Sequence, residues 1–140
     1  MKTWVVMYAL IWASFFQIFL VVFLLSVGVS GSWYNVTIGF HVALGIVVIA
    51  IGAYSFRLVN RTSCPNRIKR ISRTTAILAG IQGILGLILY ALIRYNFSIT
   101  VQQIVLLLHV VNALAIISQA SSSATSFDMW EEKEFLEAQA

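Results

Sequence analysis

Four apolar stretches constrain this chain more than any other feature, since a helix needs only about 20 mostly apolar residues to cross a hydrocarbon core. They run over about 4–29, 36–56, 74–94 and 101–120, and none contains an internal charge. In lipid the backbone must satisfy its own hydrogen bonds, which leaves helices as the form such stretches take. The predicted fold class is all-α. It is an integral membrane four-helix bundle over residues 1–120, followed by a polar, acidic tail over 121–140. The composition agrees: 10% of residues are charged, against roughly a quarter in soluble domains. The run from Trp4 to about Val29 exceeds a secretory h-region, so it is expected to be a retained span.

Charge fixes an expected orientation. Six of the nine Lys and Arg residues (Arg57, Arg61, Arg67, Lys69, Arg70 and Arg73) fall between the second and third stretches. By the positive-inside rule that segment faces the cytoplasm, and four spans then put both termini there. Trp33, Tyr34 and Tyr95 are expected in an aromatic belt at the outer boundary. The net charge of +4 is this local cluster, not a basic surface, so nucleic acid is not an expected partner. Of three glycosylation sequons, those at Asn35 and Asn96 fall outside and that at Asn60 inside. Cys64 is the only cysteine, which excludes an intramolecular disulfide and a multi-cysteine metal site within one chain. In the tail, Asp128 followed by Glu131 has the spacing of a capping box, predicting a short acidic surface helix.

The chemistry-bearing candidates are the two histidines. An ionisable group inside a span is costly and marks a functional candidate. His41 lies about 8 Å and His109 about 12 Å below the outer ends of the second and fourth stretches, at 1.5 Å per residue. Two imidazoles at a common level on two bundle helices suit the axial positions of a haem iron. Interhelical hydrogen bonding and a proton or quinol site are the alternatives. Stripes at helical spacing share the histidine faces: Gly45, Val48 and Gly52 with His41, and Gln102, Asn112, Ala113 and Ile116 with His109. Ala79, Gln82, Gly83, Gly86 and Tyr90 line the third helix. Asn112 and Gln82 are candidate hydrogen-bond partners of the ligand imidazoles. Arg94 is a candidate partner for haem propionates or a snorkelling interfacial cation, and Gln17 a buried polar packing contact. There is no intramembrane carboxylate, Gly-rich phosphate loop or Ser, His and Asp set.

The stretches AILAGIQGILGLILYAL and IVLLLHVVNALAII resemble one half of the haem A synthase family, over about residues 36–120. The resemblance implies a four-helix half with a histidine on its second and fourth helices, at His41 and His109, and matches Gln82 and Gly86 to the third-helix Q-x-x-x-G. The family's glutamate four residues before the first histidine, and the arginine just after it, are here Thr37 and Val42. The outer loop between the first and second helices is also short and lacks the family's cysteines and Trp-Pro pattern.

The leading expectation is therefore a b-type haem protein with one bis-histidine haem, serving respiratory electron transfer or carrying haem as a subunit. A half-size haem A synthase working as an oligomer is one alternative. A non-catalytic accessory subunit of a terminal oxidase or other respiratory complex is another. The expected partners are the lipid bilayer, other subunits or a second copy, and quinol. The expected location is the plasma membrane of a prokaryote, with the mitochondrial inner membrane as the alternative.

Overall fold

The computed structural model describes residues 3–27 and 32–139; the side chains of residues 24, 25, 27 and 32–34 also lie outside the described set. The belt expected at Trp33 and Tyr34 is therefore outside the described residues. Four helices make up the described chain: α1 (Thr3–Val27), α2 (Ser32–Asn60), α3 (Asn66–Arg94) and α4 (Ile99–Glu137). Each is long and apolar enough to cross a membrane. Each packs on its neighbours in cyclic order, α1 on α2, α2 on α3, α3 on α4 and α4 on α1. Thus α2 and α4 stand across one diagonal of an up-down-up-down bundle.

The helices outrun the apolar stretches that predicted them. Hydropathy marks where lipid gives way to water, whereas a helix stops only where its backbone is interrupted. Arg57, Arg67, Lys69, Arg70 and Arg73 sit on helices, and the connection at this basic end is only residues 61–65. There the backbone N–H of Arg61 donates to the Leu58 carbonyl and that of Thr62 to the Val59 carbonyl. The Thr62 hydroxyl donates to the same Val59 carbonyl at 2.7 Å. Pro65 then disfavours helical geometry at Cys64 and opens α3.

The tail requires a correction. The predicted break at Ser121 and the separate short helix capped by Asp128 are absent, because α4 continues unbroken for 39 residues. No Gly or Pro interrupts Ile99–Glu137. At 1.5 Å per residue it is about 58 Å long, well beyond a hydrocarbon core of about 30 Å. Its extension is held by packing: Ala124 and Phe127 are buried with Met7, Val59, Cys64 and Ile68, and Trp4 and Trp130 close over them.

At the far end α3 stops in a Schellman motif. Asn96 takes a left-handed φ of 49°, which Asn tolerates better than most residues. Its N–H donates to the Ile93 carbonyl, and that of Phe97 to the Leu92 carbonyl. Gln102 Nε2 donates to the Phe97 carbonyl at 2.9 Å. Gln102 thus ties the α3–α4 turn instead of lining the interior with His109, and Tyr90, expected inside, is 60% exposed.

Candidate functional site: a histidine pair across the bundle diagonal

The depth of the two histidines follows from the core beneath them. Val48 and Ile116 belong to one buried cluster, with Leu10, Ala79 and Ala120. His41 lies seven residues from Val48, and His109 seven from Ile116. Two helical turns on each diagonal helix therefore bring both imidazoles to one level. Their ring centroids are 6.3 Å apart and their planes are inclined by 53°.

That spacing suits a shared metal. With metal–nitrogen bonds of about 2.0 Å, two imidazoles on opposite sides of one ion have centroids roughly 6 Å apart. Rotation about the shared axis leaves the interplanar angle free. Nδ1 of each ring is buried without a hydrogen-bond partner, a cost of about 1–3 kcal/mol for an unsatisfied polar atom. Among the described residues no group of three or more His, Cys, Asp or Glu converges. The site thus offers two imidazoles and no third side-chain ligand of these types among the described residues.

The surrounding side chains position the helices rather than the rings. Gln17 Nε2, on α1, donates to the backbone carbonyl of His41 at 3.0 Å. Gly45 makes room for it: a Cβ there would lie 3.1 Å from that amide nitrogen. Gly86 lets α3 approach His109, since a Cβ would lie 3.3 Å from Cε1 of the ring. Asn112 Nδ2 donates to the Leu78 carbonyl at 3.0 Å and to Oε1 of Gln82 at 2.7 Å. Asn112 and Gln82, expected to bond the imidazoles, instead join α4 to α3 one turn below His109. Arg94 is exposed in the last turn of α3, eight residues or about 12 Å beyond Gly86 along the axis. Thr37, where the resemblance would place a glutamate, is buried one turn from His41.

Comparison with known proteins adds no relative: no family model, curated protein or solved structure matches the chain. The geometry establishes an all-α bundle of four helices able to cross a membrane, with its two histidines facing each other.

Proposed function

We propose that this chain is a membrane b-type haem protein in which His41 and His109 are the axial ligands of one haem. The single observation that carries the reading is the 6.3 Å separation of the two rings across the bundle diagonal. Haem bound there would supply one-electron transfer. The residues of the chain set the frame. His41 is anchored through its backbone by Gln17, the Asn112 bonds join α4 to α3 one turn from His109, and Gly86 lets α3 pack close to that ring. We place the protein in respiratory electron transfer, or as a haem-carrying subunit, in a prokaryotic plasma membrane with the basic end in the cytoplasm.

The test is a dithionite-reduced minus oxidised visible spectrum of the detergent-purified protein from haem-supplied cells, beside His41→Ala and His109→Ala. The expected result is a b-type α-band lost in both variants. A featureless spectrum from folded wild-type protein would overturn the proposal.

A further inference from the structure

On the flank of the bundle near its basic end, α3 and α4 border an open groove of about 390 Å³ lined by Arg70, Ile71, Thr74, Ser118, Gln119 and Ser122. Ser118, Gln119 and Ser122 stand on one face of α4 by their spacing. None of the three makes a side-chain hydrogen bond among the described residues, and the Thr74 hydroxyl donates to the Arg70 carbonyl at 3.0 Å. Arg67 lies on the same face of α3 as Ile71 and Thr74, one turn nearer the basic end. Among the described residues the one ion pair is Lys133 with Glu137, at 3.5 Å, so the arginines of this end are not neutralised by carboxylates. Polar groups facing a bilayer need partners, because hydrocarbon offers none.

We propose that this groove binds the headgroup phosphate of an anionic phospholipid in the leaflet at the basic end. Arg70 supplies the charge and a planar fork of donors matched to phosphate oxygens. The Ser118 and Ser122 hydroxyls and the Gln119 amide supply neutral donors, and Ile71 meets the start of the acyl region. A basic pocket between membrane helices at the headgroup level is the arrangement that selects anionic lipids.

Native mass spectrometry of the full chain, titrated with phosphatidylglycerol, phosphatidylcholine or inorganic phosphate, tests this. Phosphatidylglycerol is expected to be retained, phosphatidylcholine not, and inorganic phosphate should fail to displace the lipid. The combined Ser118→Ala, Gln119→Leu and Ser122→Ala variant keeps every charge and should bind phosphatidylglycerol about five-fold more weakly, as should Arg70→Gln. Arg57→Gln, outside the groove, should lose less than Arg70→Gln. Helical circular dichroism checks that each variant is folded, and Arg70→Gln alone decides the matter if the triple variant is not. Wild-type affinity in the folded triple variant, or in Arg70→Gln, would reduce the effect to diffuse charge and overturn the proposal. Displacement by inorganic phosphate would make it a free-anion site. A lipid-insensitive dimer that cross-links through the groove would assign the surface to a second copy.

Discussion

The two halves of the bundle are held together differently. Towards the basic end, buried side chains occur on every helix: Val6 to Ser14 on α1, Val48 to Val59 on α2, Ile68 to Ala79 on α3 and Ile116 to Phe127 on α4. They interlock around hydroxyls. Ser55, Ser72, Thr75 and Ser123 line a cavity of about 10 Å³, close to the room one water needs. Beyond Val48 and Ile116, Thr37 is the one buried side chain among the described residues. In that far half large apolar residues such as Leu44, Leu85, Leu89 and Val105 are only half-buried, and side-chain hydrogen bonds join helices at its inner edge, from Gln17 to the His41 carbonyl on α2 and from Asn112 to Gln82 on α3. Lipid provides no hydrophobic force between helices, so association rests on close packing or on polar contacts. One half rests mainly on the first, the other carries the second, and the histidine pair lies within the looser half, two helical turns beyond Val48 and Ile116.

The largest expected effect breaks the packed half. Phe127 is 2% exposed within the cluster that pins the α4 extension to α1 and to the turn between α2 and α3. Phe127→Ala should cost about 3–5 kcal/mol, read by denaturant unfolding in mixed micelles. A loss below about 1 kcal/mol would mean that the extension is not part of the core.

Equivalent glycine substitutions sharpen the contrast. A Cβ on Gly52 would already touch Ala79 and Ala76, at 3.5 and 3.7 Å, so the bulk of Gly52→Leu should cost about 1–3 kcal/mol through overpacking. At Gly86 only His109 stands in the way. That contact is the closer one, at 3.3 Å, but it is with a side chain in the looser half, whereas Gly52 meets the backbone of Ala76. Gly86→Leu should therefore destabilise less than Gly52→Leu and, if the proposed haem site is correct, abolish its α-band. Equal costs at the two positions would refute the division into halves. Asn112→Leu removes two interhelical hydrogen bonds, each worth about 0.6 kcal/mol in membrane bundles. It should therefore cost about 1 kcal/mol in the same titration.

Much of this was legible because lipid simplifies the reading. Uninterrupted apolar runs yielded four helices, and a fixed rise per residue placed His41 and His109 at one level. What hydropathy could not supply was the helix ends. Residues 57–60, 66–73 and 121–126 are polar but helix-compatible, so the helices continued through them and the tail became part of the core. Polar roles were legible only by residue type. Asn112 and Gln82 stood out as polar groups within apolar stretches, but their bond to each other depends on the rotation of α4 against α3. The role of Gln102 depends on the left-handed Asn96 turn, and neither has a sequence signal of its own.

The smallest effect is expected where a side chain faces outward. Leu107 is 63% exposed on α4, two residues from His109 and pointing away from the bundle. If lipid covers it, Leu107→Ala exchanges one hydrocarbon neighbour for another and should stay within about 0.5 kcal/mol of wild type. Burial of the same side chain against another subunit or a second copy would raise the cost towards the 2–5 kcal/mol of a core Leu→Ala change. Measured in detergent-purified protein and again in native membranes, this substitution separates a bundle surrounded by lipid from one packed within a complex. A small cost in detergent with a large one in the membrane would locate a partner on the α4 face of the far half.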